Sequence, residues 1–282
     1  MKTLFGIIFI FIFSLSRGQV PIDSSIIIVS HNVLAFSGHP KDINKPDTMI
    51  LERAIKFYKE LHIDILVIQE SPSEDFVKIL ADGLGLNYFF LQTKYLYGFP
   101  GCILSKFPFK QTFDYNKTIS QLSDSIFQRH WGGVKVETSW GIIQLHSVHL
   151  CADWGGKFRE STRMKELTYL LNEVQTCDSC LANIVAGDFN SIPNSNPYDL
   201  MTEYGFLDSH LQNPEPTVPV PNPKYRIDYI FYEKSKKIKI NPLSPTLPYY
   251  EDLNLFLSDH YPCIIKIERN DECQCLTTYQ RK

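Results

Sequence analysis

An excess of positive charge is missing from this sequence. Its 282 residues carry 28 Lys+Arg against 31 Asp+Glu, a formal charge of −3. Binding nucleic acid mainly through bulk positive charge is disfavoured, because contact with phosphates normally leaves a basic excess. Long apolar runs are also missing, apart from residues 4–15, where only Gly6 and Ser14 interrupt. As a helix that run reaches about 18 Å, short of the ~30 Å hydrocarbon core of a bilayer. Lys2 precedes it and Ser14, Ser16 and Gly18 close it, so residues 1–18 read as a secretory signal peptide. Without those residues the balance becomes 26 − 31 = −5. The polar stretch 277–282 offers no tail for a lipid anchor.

Internal repeats and an H-E-x-x-H are absent, and the single C-x-x-C, Cys177 to Cys180, has no second copy. A zinc site is therefore disfavoured, and the pair is expected as a small disulfide or plain thiols. Seven cysteines leave at least one unpaired within a monomer. Asn116-Lys117-Thr118 is a glycan acceptor if the chain is exported. The composition, 44% hydrophobic and 13% aromatic, is that of a globular protein.

Strands are expected at 26–29, 63–68, 88–91, 102–104, 134–137, 142–150, 182–186, 227–232 and 263–267. Trp140-Gly141 would turn a hairpin. Helices are expected over 47–61, capped by Asp47, over 73–84, stopped by Gly83 or Gly85, and over 158–174. Five prolines crowd residues 214–223, which read as a surface loop within one domain, residues 19–282. Lys234, Lys236, Lys237 and Lys239 read as a solvated strand edge. Helices interleaved with buried strands give an α/β class.

One pattern recurs in the chemistry. A buried strand delivers a polar group at or just beyond its end: Asn32, Glu70, His149, Asp188 with Asn190, Asp228, and Asp259 with His260. A cap or turn explains one such residue, but not six strand ends in one domain. Oxygen donors at Glu70, Asp259, Asn32 and Asn190 suit Mg²⁺, with Mn²⁺ as a substitute. Asp188 and Asn190 lie two apart and point the same way on an extended backbone. His149 and His260 are suited to phosphate contact or proton transfer near neutral pH.

Together these stretches resemble the endonuclease/exonuclease/phosphatase superfamily. They are Ser30-His31-Asn32, Ile68-Gln69-Glu70, Ser147-Val148-His149-Leu150, Gly187-Asp188-Phe189-Asn190, Arg226-Ile227-Asp228-Tyr229 and Ser258-Asp259-His260. The resemblance implies a four-layer α/β sandwich, two facing β-sheets flanked by helices as in deoxyribonuclease I. It also implies that Glu70 is the principal Mg²⁺ ligand, with Asn32 and Asp259 close to the metal. Asp188 would orient or deprotonate the attacking water, and Asn190 would hold a phosphate oxygen. Asp228 would pair with His260 and favour its imidazolium form, which stabilises five-coordinate phosphorus. His149 would contact the phosphate or assist the leaving oxygen, with His146 as the alternative under a deoxyribonuclease-like reading. His31 would be a packed or hydrogen-bonded histidine, Tyr229 and Phe231 core residues, and Arg163 either a recurring family residue or a helix-surface ion pair.

The neutral sphingomyelinase branch is resembled through residues 101–108, the His-Leu after Val148, and Phe206-Leu207-Asp208. Its expected substrate is sphingomyelin at a membrane surface, although no clear apolar docking hairpin stands out; residues 95–100 are a candidate that reads rather as a partly buried loop. Nucleic acid is the second substrate expected, since Ser258-Asp259-His260-Tyr261-Pro262 looks like the end of deoxyribonuclease I. Few arginines cluster near the motifs, which weighs against a duplex substrate. A secreted binding protein on the same fold is a third class, and no obligate protein partner is evident. A pure binder, however, does not need a water activator.

Overall fold

The computed structural model describes residues 24–40, 45–93, 99–114, 127–152, 157–174, 177, 179–244 and 255–270. The expected signal peptide, the Asn116 sequon, Cys273, Cys275 and most of the 95–100 loop lie outside them.

Alternation of side chains along strands builds the sandwich. In β1 (Ser25–Asn32), Ile26 and Ile28 face one apolar cluster and Val29 another. In β2 (Ile65–Gln69), Ile65 and Val67 face the first cluster while Leu66 and Ile68 face the second. Both faces are thus buried, which is why these strands read as continuous apolar runs rather than as alternating ones. The first sheet adds β3 (Asn87–Leu91), β4 (Gly101–Ser105), β11 (Ile238–Leu243) and β12 (Cys263–Arg269), in the order β11-β12-β1-β2-β4-β3. The second contains β5 (Phe109–Asp114), β6 (His130–Thr138), β7 (Gly141–His149), β8 (Ala182–Asp188), β9 (Phe206–Asp208) and β10 (Asp228–Glu233). Its order is β5-β6-β7-β8-β10-β9.

The first cluster fills the space between the sheets, joining Ile28 and Val67 to Val134, Leu145, Ile184 and Ile230. Outside the first sheet pack α1 (Thr48–Glu60) and α2 (Glu74–Leu84). Outside the second pack α3 (Lys157–Glu173) and α4 (Asn196–Glu203), over Trp131, Phe189, Tyr229 and Phe231. The expected four-layer α/β sandwich is what forms.

Local signals account for the helix limits. Asp47 accepts the Met49 N–H at 2.9 Å and starts α1. Gly85, with φ +68°, ends α2, whereas Gly83 lies inside it. A Cβ on Gly83 would come 2.7 Å from Ile55 Cδ1, so Gly83 permits the close approach of α1. Among the described residues no helix is long and apolar enough to cross a membrane.

The sequence reading differs from the structure in several places. β6 begins at His130, not at 134, and it contains Gly132 and Gly133. These glycines resemble a loop signal, yet Leu91 and His146 leave no room for a side chain there. Strands β5 and β9 were not expected; β5 is largely exposed and polar, and β9 has three residues. Helix α4 carries Ser195 as N-cap and Pro197 in its first turn, but eight residues show little periodicity. The lysine run is solvated as expected, but only Lys239 lies on the outer strand β11; Lys234, Lys236 and Lys237 are exposed in the turn that joins β10 to it. Cys177 and Cys180 form a disulfide, and Cys102, Cys151 and Cys263 are buried free thiols.

Candidate active site

Strand direction collects the polar groups at one edge. β1 and β2 run parallel with Asn32 opposite Gln69, so Asn32 and the following Glu70 leave the first sheet side by side. β7 and β8 run parallel with His149 opposite Asp188. β10 is antiparallel to β8, with Asp228 opposite Asp188, and β12 is antiparallel to β1. Asp228 therefore opens its strand, and Asp259 and His260 precede theirs. This corrects the expectation that all six strands deliver their groups at or beyond their ends: two deliver them at their beginnings.

Asp228 and His260 form a buried pair, with 2.8 Å between Oδ2 and Nδ1. Thr217 Oγ1 donates to the same Oδ2 at 2.6 Å. Burial works against the charged ring, but Asp228, then Asp188 and Asp259, outweigh it and raise His260 to about 10. The turn before β12 is locked to β1, since Ser258 Oγ donates to Asn32 O at 2.7 Å and His260 N–H donates to Ser258 Oγ at 3.1 Å. His31 braces it from behind, its Nδ1 paired with Tyr58 Oη at 2.7 Å and its Nε2 with His260 O at 3.1 Å. That is the hydrogen-bonded, packed role expected for His31.

His149 presents the opposite electrostatics. Its Nε2 lies 3.2 Å from Asp188 Oδ2 and 3.9 Å from Glu70 Oε1, and the Arg129 guanidinium touches the ring. Burial, and then Arg129, lower it to about 3, so the ring is neutral. Asp188 Oδ2 also accepts the Asn32 amide at 3.1 Å, and Oδ1 accepts the Asn190 N–H at 2.9 Å. Burial alone would raise Asp188; His149, His260 and Arg129 reverse that and hold it below the usual carboxylate range. Asn190 donates through Nδ2 to Leu150 O at 3.0 Å.

His146, the alternative to His149, is elsewhere. It packs against Phe113 and Trp131 on the helix side of the second sheet, with neither ring nitrogen hydrogen-bonded among the described residues. Arg163 is buried rather than on the surface, and Nη1 donates to Cys151 O at 3.1 Å. This overturns the surface ion pair; the backbone carbonyl takes the guanidinium. Tyr229 and Phe231 are core residues, as expected.

The donor set fits a hard cation. Burial raises Glu70 above its ordinary value despite Arg129, His260 and the Asn32 amide, so further positive charge beside it would be favourable. Donor atoms of Asp188, Asp228 and His260 all lie within 4.8 Å of one another. His260 is a poor ligand there, because Nδ1 faces Asp228 and the ring is held protonated. Oxygen ligands centred on Glu70 and Asn32 fit better. Asp259 is near enough to act on His260, and its Oδ1 lies 3.3 Å from Ser258 Oγ.

Two residues of the site escaped the sequence reading. Arg129 pairs with Glu70, Nη1 to Oε1 3.4 Å, and stacks on Phe99 with 4.2 Å from Cζ to the ring centroid. It precedes His130, so placing the strand start correctly would have put it at the cleft edge. Thr217 lies in the proline-rich stretch, which connects β9 to β10. That stretch is tied to the site, because Tyr261 N–H donates to Thr217 O and Val220 N–H to Asp259 O, both at 2.8 Å.

The Endonuclease/Exonuclease/phosphatase family model matches residues 29–260. No curated protein matches the chain. Among solved structures, a protein of that family from Beutenbergia cavernae is similar at a TM-score of 0.66 and 16% identity, covering 88% of this chain and 72% of its own. The human Nocturnin catalytic domain with bound sulfate gives 0.64 and 18%, covering 88% and 94%. D. rerio TDP2 with a single-strand DNA product gives 0.63 and 17%, covering 87% and 100%. At those identities the structures speak for the fold, while the match over residues 29–260 speaks for descent. The chain belongs to the endonuclease/exonuclease/phosphatase family of phosphoester hydrolases.

Proposed function

We propose that the chain is an exported Mg²⁺-dependent phosphodiesterase that uses in-line attack by water, with sphingomyelin as its first substrate, giving ceramide and phosphocholine. The observation that carries the hydrolytic reading is the 2.8 Å Asp228–His260 pair facing Asp188 across the same edge as Glu70. Residues 1–18 support export, and residues 101–108 with the His-Leu after Val148 support the lipid substrate.

Glu70 and Asn32, with Asp259 beside them, would hold Mg²⁺, which when bound offsets charge on a phosphate oxygen. Asp188, held anionic, accepts a hydrogen bond from water and orients it. The His260 imidazolium, raised to about 10 by its carboxylates, offsets charge developing at phosphorus. Asn190 spends one amide hydrogen on Leu150 O and directs the other to a phosphate oxygen. His149, neutral, donates from Nε2 to Asp188 and offers Nδ1 to Arg129, holding both in place rather than delivering a proton.

Nucleic acid is the second reading, and Arg129 favours it. The expectation of few arginines near the motifs overlooked this guanidinium at Glu70, which suits a backbone phosphate. TDP2, the structural neighbour that carries a DNA product, spans the same fold. Phe99, counted in the apolar docking loop, instead stacks on Arg129.

The test is hydrolysis of sphingomyelin vesicles, duplex DNA and single-stranded DNA by the secreted protein, with Mg²⁺ and with a chelator. Phosphocholine release that stops on chelation is expected. Metal-dependent cleavage of DNA without phosphocholine transfers the substrate to nucleic acid. Hydrolysis that persists in chelator, or in Asp188→Ala, overturns the mechanism.

A further inference from the structure

Next to the site, but outside the residues that face the substrate, α3 carries a fully buried carboxylate. Glu166 accepts the Gln128 N–H on Oε1 at 3.0 Å and the Cys151 N–H on Oε2 at 2.9 Å. These two donors lie on different strand ends. Gln128 precedes Arg129, and Cys151 follows His149 by two residues. The β6–β7 ladder stops at His130 opposite His149, so the carboxylate bridges the two chains just beyond the last backbone pair.

Other groups on α3 reinforce the grip. Arg163 donates to Cys151 O at 3.1 Å, so both backbone polar groups of Cys151 are held by the helix. Arg159 Nη1 donates to Gln128 Oε1 at 3.1 Å and reaches Cys151 Sγ at 3.5 Å. Leu150, between His149 and Cys151, donates its N–H to Asp188 O at 2.9 Å and accepts the Asn190 amide. Movement at Cys151 therefore reaches three groups of the site.

We propose that Glu166 is a positioning residue: it fixes the spacing of Arg129 and His149 around Glu70 by clamping Gln128 and Cys151 from α3. The role rests on the phosphodiesterase reading of the site. A carboxylate is the side chain suited to it, because both facing groups are donors and it offers acceptors only. A glutamine in its place turns an NH₂ toward one N–H, and an apolar residue leaves both N–H groups buried and unpaired. Burial raises Glu166 to about 7, against the two N–H bonds and the nearby Arg129 and Arg163.

The test is a double-mutant cycle on bis(p-nitrophenyl) phosphate with Mg²⁺, well below the melting temperature of each variant. Glu166→Gln is expected to lower kcat/KM by about tenfold to a hundredfold in the native background. In an Arg129→Ala background the same change should cost at least about threefold less than in the native background, since one of its two targets is gone while its hold on Cys151 and His149 remains. Glu160→Gln, on the same helix and paired with the exposed Asn196, should leave both backgrounds unchanged. Equal losses in the two backgrounds, or no loss in E166Q, overturn the proposal. If E166Q does not fold, Glu166→Asp keeps the charge, shortens the reach and carries the same cycle with the same readings. The His149 ring resonances decide the matter independently of activity: they should move in the Glu166 variant and not in E160Q. A wild type without hydrolysis would count against the phosphodiesterase reading alone, and an unmoved His149 ring against the clamp.

Discussion

Two buried imidazoles stand at the same cleft and are driven in opposite directions. His260 meets Asp228, Asp188 and Asp259 and is raised to about 10; His149 meets Arg129 and is lowered to about 3. Both rings are buried, so desolvation opposes the charged form of each. What separates them is the balance of charge beside each: carboxylates overcome burial at His260, whereas at His149 burial and then Arg129 outweigh the neighbouring Asp188. β10 delivers a carboxylate to His260, while the start of β6 delivers a guanidinium to His149. A single cleft thereby holds one charged and one neutral imidazole, which divides electrostatic stabilisation from positioning.

Removing the carboxylate side should have the largest effect. Asp228→Asn is expected to lower kcat/KM by about a thousandfold, because the imidazolium loses its partner and its tautomer control. A steady-state assay on a phosphodiester reads this, and the His260 titration should fall toward its ordinary range. A loss below about tenfold would mean that His260 is charged for another reason.

Removing the cation side should cost less. Arg129→Gln is expected to reduce kcat/KM about ten- to a hundredfold, mainly through KM, and to raise the His149 titration. An unchanged KM would show that Arg129 serves Glu70 only in the metal-free protein. Thr217→Val is smaller still, because it removes one of two hydrogen bonds to Asp228 Oδ2. About tenfold in kcat/KM is expected, with a modest fall in the His260 titration.

The two shifts also act on stability in opposite windows. His260 is raised in the fold, so its contribution is full below its unfolded value near 6.5 and is lost as pH rises toward about 10. His149 is lowered, so its contribution is full above about 6.5 and is lost as pH falls toward about 3. His31 and His146, near 3, and His130, near 4, add to the acid side. Melting temperature against pH should therefore fall more steeply below 6.5 than between 6.5 and 10. Substituting His146 by Leu, which removes a ring without hydrogen bonds among the described residues, should flatten only the acid limb.

Much of this was legible in the sequence, for a physical reason. Buried strands end in polar groups only where something holds those groups, so Asn32, Glu70, His149, Asp188, Asp228 and His260 stood out against apolar runs. The α/β class followed from strands apolar on both faces, such as residues 65–68, alternating with capped amphipathic helices, whereas the four-layer sandwich came from the family resemblance. Arg129 was hidden because the strand was started at Val134, beyond Gly132 and Gly133, although those glycines lie within it and make room for Leu91 and His146. Thr217 was hidden among prolines, where its use is tertiary. Glu166 looked like any helix glutamate, since a helix pattern does not show which N–H groups will arrive beside it from two other strands.

The most direct test of the account is an NMR titration of the two rings, His260 and His149, in the metal-free protein between pH 3 and pH 11. The account predicts that His260 stays protonated through neutrality and titrates near 10, while His149 stays neutral down to near 3. Both rings titrating together near 6.5 would contradict it.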